Sequence, residues 1–192
     1  MALLNVLEEP DPRLRRKSAA VPLVDDTVRT HAQDMVETLK HLEGHGLAAP
    51  QVNILKRIVV YDLGSFKASL GEFSDPPHQM PHEIAGDDAT RFCVMINPEI
   101  IERSPEEEVL SENCFSVPLL SVPVKRPATI RVRFLDTKGQ THEKTADGYL
   151  SRCIQHEIDH LDGVLTIDYL SPLRKGMALR KLEKVKRNAL AR

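Results

Sequence analysis

Long apolar runs, a disulfide framework and an excess of positive charge are all missing from this 192-residue chain. No stretch approaches the roughly 20 apolar residues that a helix needs to cross a bilayer, so no membrane partner is expected. The opening "MALLNVLEEPDPRLRR" puts acids where a signal peptide needs an apolar core, which argues against export. Three cysteines without regular spacing make no disulfide scaffold. Reduced thiols fit a cytoplasmic setting and leave sulfur free for metal binding or catalysis. A net charge of −2 supplies no global basic field, and no specific DNA contact is expected. Internal repeats and long low-complexity tracts are absent too. What remains is ordinary globular material, 41% hydrophobic and 28% charged, long enough for one domain over residues 1–192 with a real core.

The stretch "DDTVRTHAQDMVETLKHLEG" reads as a helix. Val28, Ala32, Met35, Val36, Leu39 and Leu42 recur at helical spacing, with Asp25 or Asp26 as N-cap and Gly44 as the stop. "RIVVYD" (57–62) and "FCVMINPEI" (92–100) read as strands. Between them a segment rich in Gly, Pro, Ser and Asp is expected to form a long loop insertion at about 63–90. In "ATIRVRFLDTKGQTHEKT", Ile130, Val132 and Phe134 alternate with Arg131 and Arg133, and Asp136 to Gly139 offer a turn, so a hairpin is expected. A second helix begins near Asp147, with Leu150, Cys153, Ile154, Ile158 and Leu161 as its apolar stripe and Gly163 as its end. A last helix starts at Ser171-Pro172 and runs over about 171–192. Strands and helices mix without a βαβ rhythm. The expected class is α+β, with antiparallel sheets and a hairpin around the second helix, an N-terminal helix and a C-terminal helix.

That second helix carries "CIQHEIDHLDG", residues 153–163. His156 and His160 are four apart, so they share one helical face about 6 Å apart and are able to close on one ion. Glu157 sits beside them, within reach of a metal-activated water without being a ligand. The apolar neighbours bury this side of the helix, and buried histidines need partners. A catalytic site needs a third protein ligand. Cys153 lies about 10 Å along the axis from His160, too far around two turns, and reads as a small buried hydrophobe. Cys93 sits in an apolar strand. Cys114, in the polar, irregular "SENCFSVP", is free to turn toward a metal; His78, His82 and Glu83 of the long loop compete with it. His31, His41 and His142 read as surface residues.

Three stretches together resemble peptide deformylase: "GHGLAAPQ" (44–51), "ENCFS" (112–116) and "QHEIDHLDG" (155–163), in that family's order and spacing. "LEEPDPRLRRKSAAV" and "INPEI" resemble it as well. The resemblance implies a metal-dependent hydrolase that takes the formyl group from N-formylmethionine of nascent polypeptides and releases formate. It implies Cys114, His156 and His160 as metal ligands and Glu157 as the group that moves the proton. Gln51 matches the side-chain amide donor to the oxyanion and the Phe115 N–H the backbone donor. Gly46 joins this catalytic set; with Gly44 it would let the segment run close to substrate. His45, Phe115, Tyr149, Arg152 and Cys153 match walls of the methionine pocket. Glu112, counted among the substrate-site residues, is expected to hold "ENCFS" or the 44–46 loop by hydrogen bonding. The ion implied is Fe(II), with Zn(II), Ni(II) or Co(II) also compatible with a thiolate and two imidazoles.

The chain departs from the family pattern at His45, Asn113, Phe115 and Arg152, and Ser121 stands about where some members carry an arginine. A narrowed or altered side-chain pocket is therefore expected. Residues 173–192 hold eight Lys or Arg against one acid, Glu183. Leu173, Met177, Leu182 and Val185 are expected to pack on the body, and the basic face is either solvated or a ribosome contact through phosphates. Two alternatives stand beside the deformylase reading. One is another His-Glu-x-x-His hydrolase, which lacks a good downstream third ligand here. The other is a catalytically weak deformylase-like protein with altered specificity or a ribosome-associated binding role.

Overall fold

The computed structural model describes residues 2–64 and 91–190, with side chains through residue 187. From residue 65 to residue 90 the expected insertion, with His78, His82 and Glu83, lies outside the described residues.

Helix α1, Asp26–Leu42, starts where the Asp25 carboxylate accepts the Val28 N–H at 2.9 Å. It does not stop on glycine as expected. The left-handed residue is Glu43, with φ 51°. Glycine is needed one position later for a different reason: a Cβ on Gly44 would stand 2.4 Å from Cζ of Phe115.

Seven strands follow: β1 (Gly46–Ala48), β2 (Ile58–Asp62), β3 (Phe92–Arg103), β4 (Glu107–Cys114), β5 (Val117–Pro127), β6 (Thr129–Leu135) and β7 (Thr141–Asp147). A five-stranded sheet runs in the order β1-β2-β3-β6-β7, antiparallel throughout; β4 and β5 form a separate two-stranded sheet. Helix α2, Gly148–Leu161, and helix α3, Pro172–Leu190, complete the fold, which is α+β as expected. Among the described residues no helix is long and apolar enough to cross a membrane.

The sheet explains why β2 reads as an unbroken apolar run. Side chains alternate between its faces. Ile58 and Val60 pack with Val28, Met35 and Leu39 of α1, whereas Val59 and Tyr61 pack with Ile154, Ile158 and Leu161 of α2. Both faces of β2 are covered. On β6 only Ile130, Val132 and Phe134 meet that second core, and Arg131 and Arg133 point away, hence its clear alternation. The β6–β7 turn is closed by Asp136, whose carboxylate accepts the N–H groups of Lys138 and Gln140 at 2.8 Å, with Gly139 left-handed at φ 79°.

Three local expectations are corrected. Residues 112–116 are not irregular: Cys114 ends β4 and pairs with Val117 across a two-residue turn. His31 and His142 are half-buried, His142 bonded to Asp136 at 2.9 Å; only His41 is exposed. On α3, Leu182 is 3% exposed and Leu179 is partly buried, but Leu173, Met177 and Val185 are exposed at 73%, 58% and 38%. A helix of this length turns only one stripe inward. That stripe meets β5 and the chain after α2, where Val117, Val122, Val124, Leu165 and Ile167 form a third core with Leu14.

Candidate active site

Helix α2 lies across the sheet with its motif side toward β4. His156 and His160 stand on one face, ring centroids 5.0 Å apart and planes 72° apart. The β4 strand ends beside them. A register shift between Glu112 and Cys114 turns the thiol inward, and its Sγ lies 3.2 Å from His160 Nε2. One donor atom from each of Cys114, His156 and His160 falls within 4.8 Å of the others. Cys93 and Cys153 stay in the core that α2 makes with the sheet, both pushed toward the protonated thiol by burial.

A soft thiolate and two imidazoles are a donor set for zinc or a late first-row metal, and three such ligands leave one position open. The second layer agrees with that fit. The Glu112 carboxylate accepts His156 Nδ1–H at 2.9 Å, which leaves Nε2 as the ligand nitrogen. Burial pushes the His160 imidazole toward its neutral form, whereas at His156 burial is outweighed by the Cys114 and Glu112 hydrogen bonds, which raise the imidazole pKa. Burial would raise the Glu112 carboxyl, but the His156 and Arg126 hydrogen bonds overcome it and hold it down at about 2.

Glu157 is 4% exposed, and its Oε2 has no hydrogen-bond partner among the described residues. Burial lifts its carboxyl to about 7. A carboxyl of that acidity both takes and returns a proton near neutrality. Gly46 makes room for it: a Cβ there would stand 2.6 Å from Glu157 Oε1 and 3.0 Å from Cys153 Sγ. The Gln51 amide is buried and aimed. Its Oε1 accepts the Ala48 N–H at 2.8 Å, and its Nε2 lies 3.2 Å from Ser116 Oγ and 3.8 Å from Cys114 Sγ.

A cavity of about 510 Å³ opens over these groups. Its lining includes the expected Gly44, His45, Gly46, Gln51, Glu112, Cys114, Phe115, Tyr149, Arg152, Cys153, His156 and Glu157, together with Glu8, Glu43, Ser111, Asn113 and Pro118. His160 sits below. His45 and Tyr149 meet edge to face at 5.4 Å on the rim. A Cβ on Gly44 would collide with Phe115, and one on Gly46 with Glu157. Glu112 does not reach the 44–46 loop; it binds His156, Arg126 and Arg152. The Arg152 guanidinium turns into the protein, to Glu112 Oε1, Val124 O and Glu108 O, at 2.8, 2.9 and 2.8 Å.

Sequence reasoning overlooked Arg126, which binds Glu112 with Nε and Nη2 at 2.7 and 3.0 Å and Asp159 with Nη1 at 2.9 Å. Nothing in "VPVKRP" marks it. It also overlooked Glu8 and Glu43 at the cavity rim.

The family model for polypeptide deformylase matches residues 3–176. The chain belongs to the polypeptide deformylase family. Its enzymes remove the formyl group from polypeptides, and the chain is a hydrolase of that kind. It is 43% identical over 187 residues to a peptide deformylase of Rhizorhabdus wittichii, covering 97% of each chain. A crystal structure of a deformylase from Legionella pneumophila superposes with a TM-score of 0.80 at 35% identity, covering 100% of this chain and 99% of that one. A deformylase from Ehrlichia chaffeensis in complex with actinonin gives a TM-score of 0.80 at 36% identity, covering 97% and 99%.

Proposed function

We propose that this deformylase acts on N-formylmethionine at the start of nascent polypeptides in the cytoplasm, releasing formate, with Cys114, His156 and His160 holding one divalent ion. The observation that carries the reading is the convergence of those three donors within 4.8 Å beside a buried Glu157 whose Oε2 has no hydrogen-bond partner among the described residues. When bound, the ion supplies a Lewis acid that polarises the formyl carbonyl and makes water acidic near neutral pH. Fe(II) is the ion proposed for the cell, with Zn(II), Ni(II) or Co(II) able to replace it.

The protein's own groups do the rest. Glu157 accepts the proton of the attacking water and returns it to the leaving amine. Gln51 Nε2 and the Phe115 N–H donate to the oxygen that gains charge as the formyl carbon becomes tetrahedral. The Ala48 N–H fixes the Gln51 amide, so its donor needs no reorganisation when charge develops. Tyr149, His45 and Cys153 border the side chain of the formylated residue.

A second reading, a slower enzyme with altered specificity, is favoured by the His45–Tyr149 pair, which puts two polar rings at the rim. Formate release by anaerobically purified protein tests both, using formyl-Met, formyl-norleucine, formyl-Ala and formyl-Gly peptides. A methionine preference at ordinary rates supports the first reading; slow turnover without that preference supports the second.

The exposed side of α3 carries Arg174, Arg180, Lys181, Lys184 and Arg187. This basic face is proposed to contact ribosomal RNA phosphates.

A further inference from the structure

The β4–β5 sheet shares no strand pairing with the five-stranded sheet. Cys114 therefore meets the two histidines only if the hairpin is tied to α2 by other means. Part of the tie is polar and comes from one face of α2, at positions i, i+3, i+4 and i+7. Gln155 donates to Pro127 O at 3.0 Å, His156 to Glu112, and Asp159 accepts from Arg126. The fourth is Arg152. Its fork reaches the backbone of both strands, Glu108 O on β4 and Val124 O on β5, and the Glu112 carboxylate that orients His156.

Arg152 is 4% exposed, so its charge has been removed from water. An uncharged side chain of similar length would fill the same volume without that desolvation cost. What it could not supply is three directed bonds in fixed planar geometry. Those bonds end on β4 at Glu108 O, on β5 at Val124 O, and on the carboxylate of Glu112, two residues before Cys114, which His156 also uses. Glu112 thus joins the strand bearing the thiol to the helix bearing the imidazoles, and Arg152 holds that junction from the helix side.

We propose that Arg152 is a positioning residue for the metal centre, setting how Cys114 and His156 face each other. The inference rests on the reading of Cys114, His156 and His160 as metal ligands. It extends it to a residue outside the three recognised motifs.

The test uses full-length protein with Arg152→Met and Arg152→Lys, loaded anaerobically with Co(II) and separately with Zn(II). Co(II) absorption reports ligand geometry through its d–d and thiolate charge-transfer bands. Chelator competition reports Zn(II) affinity, and thermal unfolding of metal-free protein reports stability alone. In Arg152→Met the cobalt spectrum should change and zinc affinity should fall at least about tenfold, the scale for losing an outer partner of a ligand. Arg152→Lys should fall between, because an ammonium keeps the charge but not the fork. Its kcat should drop more than its KM rises. If Arg152→Met retains the wild-type spectrum and affinity, or KM alone rises, the inference is overturned. Should Arg152→Met fail to fold, wild-type spectrum and affinity in Arg152→Lys overturn it equally. Failure of the wild-type protein to take up Co(II) would overturn the underlying ligand reading as well, so the two failures are distinct.

Discussion

Glu112 accepts a hydrogen bond from Nδ1 of His156 at 2.9 Å, and the same carboxylate binds both Arg126 and Arg152. One acid thus faces a candidate ligand and two buried cations. Replacing Glu112 with Gln keeps the shape and removes the charge; metal affinity should fall about tenfold to a hundredfold in chelator competition. Glu112→Ala strands two buried guanidinium groups. It should additionally cost about 3–5 kcal/mol in denaturant unfolding. Equal metal affinity in wild type and Glu112→Gln would show that the His156 contact does not matter to the site.

Gly46 tests the placement of Glu157. Its missing side chain leaves the space that Glu157 Oε1 fills, where a Cβ would approach to 2.6 Å. Gly46→Ala should keep the metal but lower kcat about a hundredfold, the effect expected of a group displaced by roughly 1 Å. Metal content and rate measured on one sample decide it. A normal rate would mean that Glu157 adapts freely or does not act.

Much of this arrangement was legible before any coordinates, and the limits are instructive. His156 and His160 share one helix, so a local period places them on one face. The sandwiching of the sheet was implicit in the continuous run of β2. By contrast, β4 and β5 were missed because Glu107, Glu108, Ser111 and Asn113 are exposed and polar, and prolines at 118, 123 and 127 interrupt any strand pattern. The Glu112 network spans 14, 40 and 44 residues in sequence, with no local signature. Nor does any local pattern announce that the atoms excluding a side chain at Gly44 and Gly46 come from distant Phe115 and Glu157.

Asp168 gives an acid-sensitive anchor for α3. It binds Arg15, Lys175 and the Leu165 N–H. Burial would raise its carboxyl, but the Lys175, Leu165 and Arg15 contacts outweigh burial and leave it below its usual value. A carboxyl depressed in the folded state stabilises above its unfolded pKa, about 3.9, and that contribution is lost as pH falls through the folded value. Asp168→Asn should therefore cost about 0.5–1 kcal/mol at pH 7, discounted for partial exposure, and progressively less below about pH 4. A difference that stays constant down to pH 3 would rule out the ion pairs as its source.

The basic face of α3 is tested by substitution rather than deletion, because Leu182 is buried and Lys186 binds Glu8 at 2.8 Å. Arg180→Glu, Lys181→Glu and Lys184→Glu together should abolish low-salt co-sedimentation with ribosomes and leave hydrolysis of short formyl peptides unchanged. Unchanged co-sedimentation would dismiss the contact.

The account depends most on one thiolate joining two imidazoles around a single ion. Metal content of anaerobically purified protein, wild type against Cys114→Ala with folding checked by circular dichroism, tests this directly. The expected result is one divalent ion per chain in the wild type and loss of that ion in the folded variant; full occupancy in Cys114→Ala would contradict it.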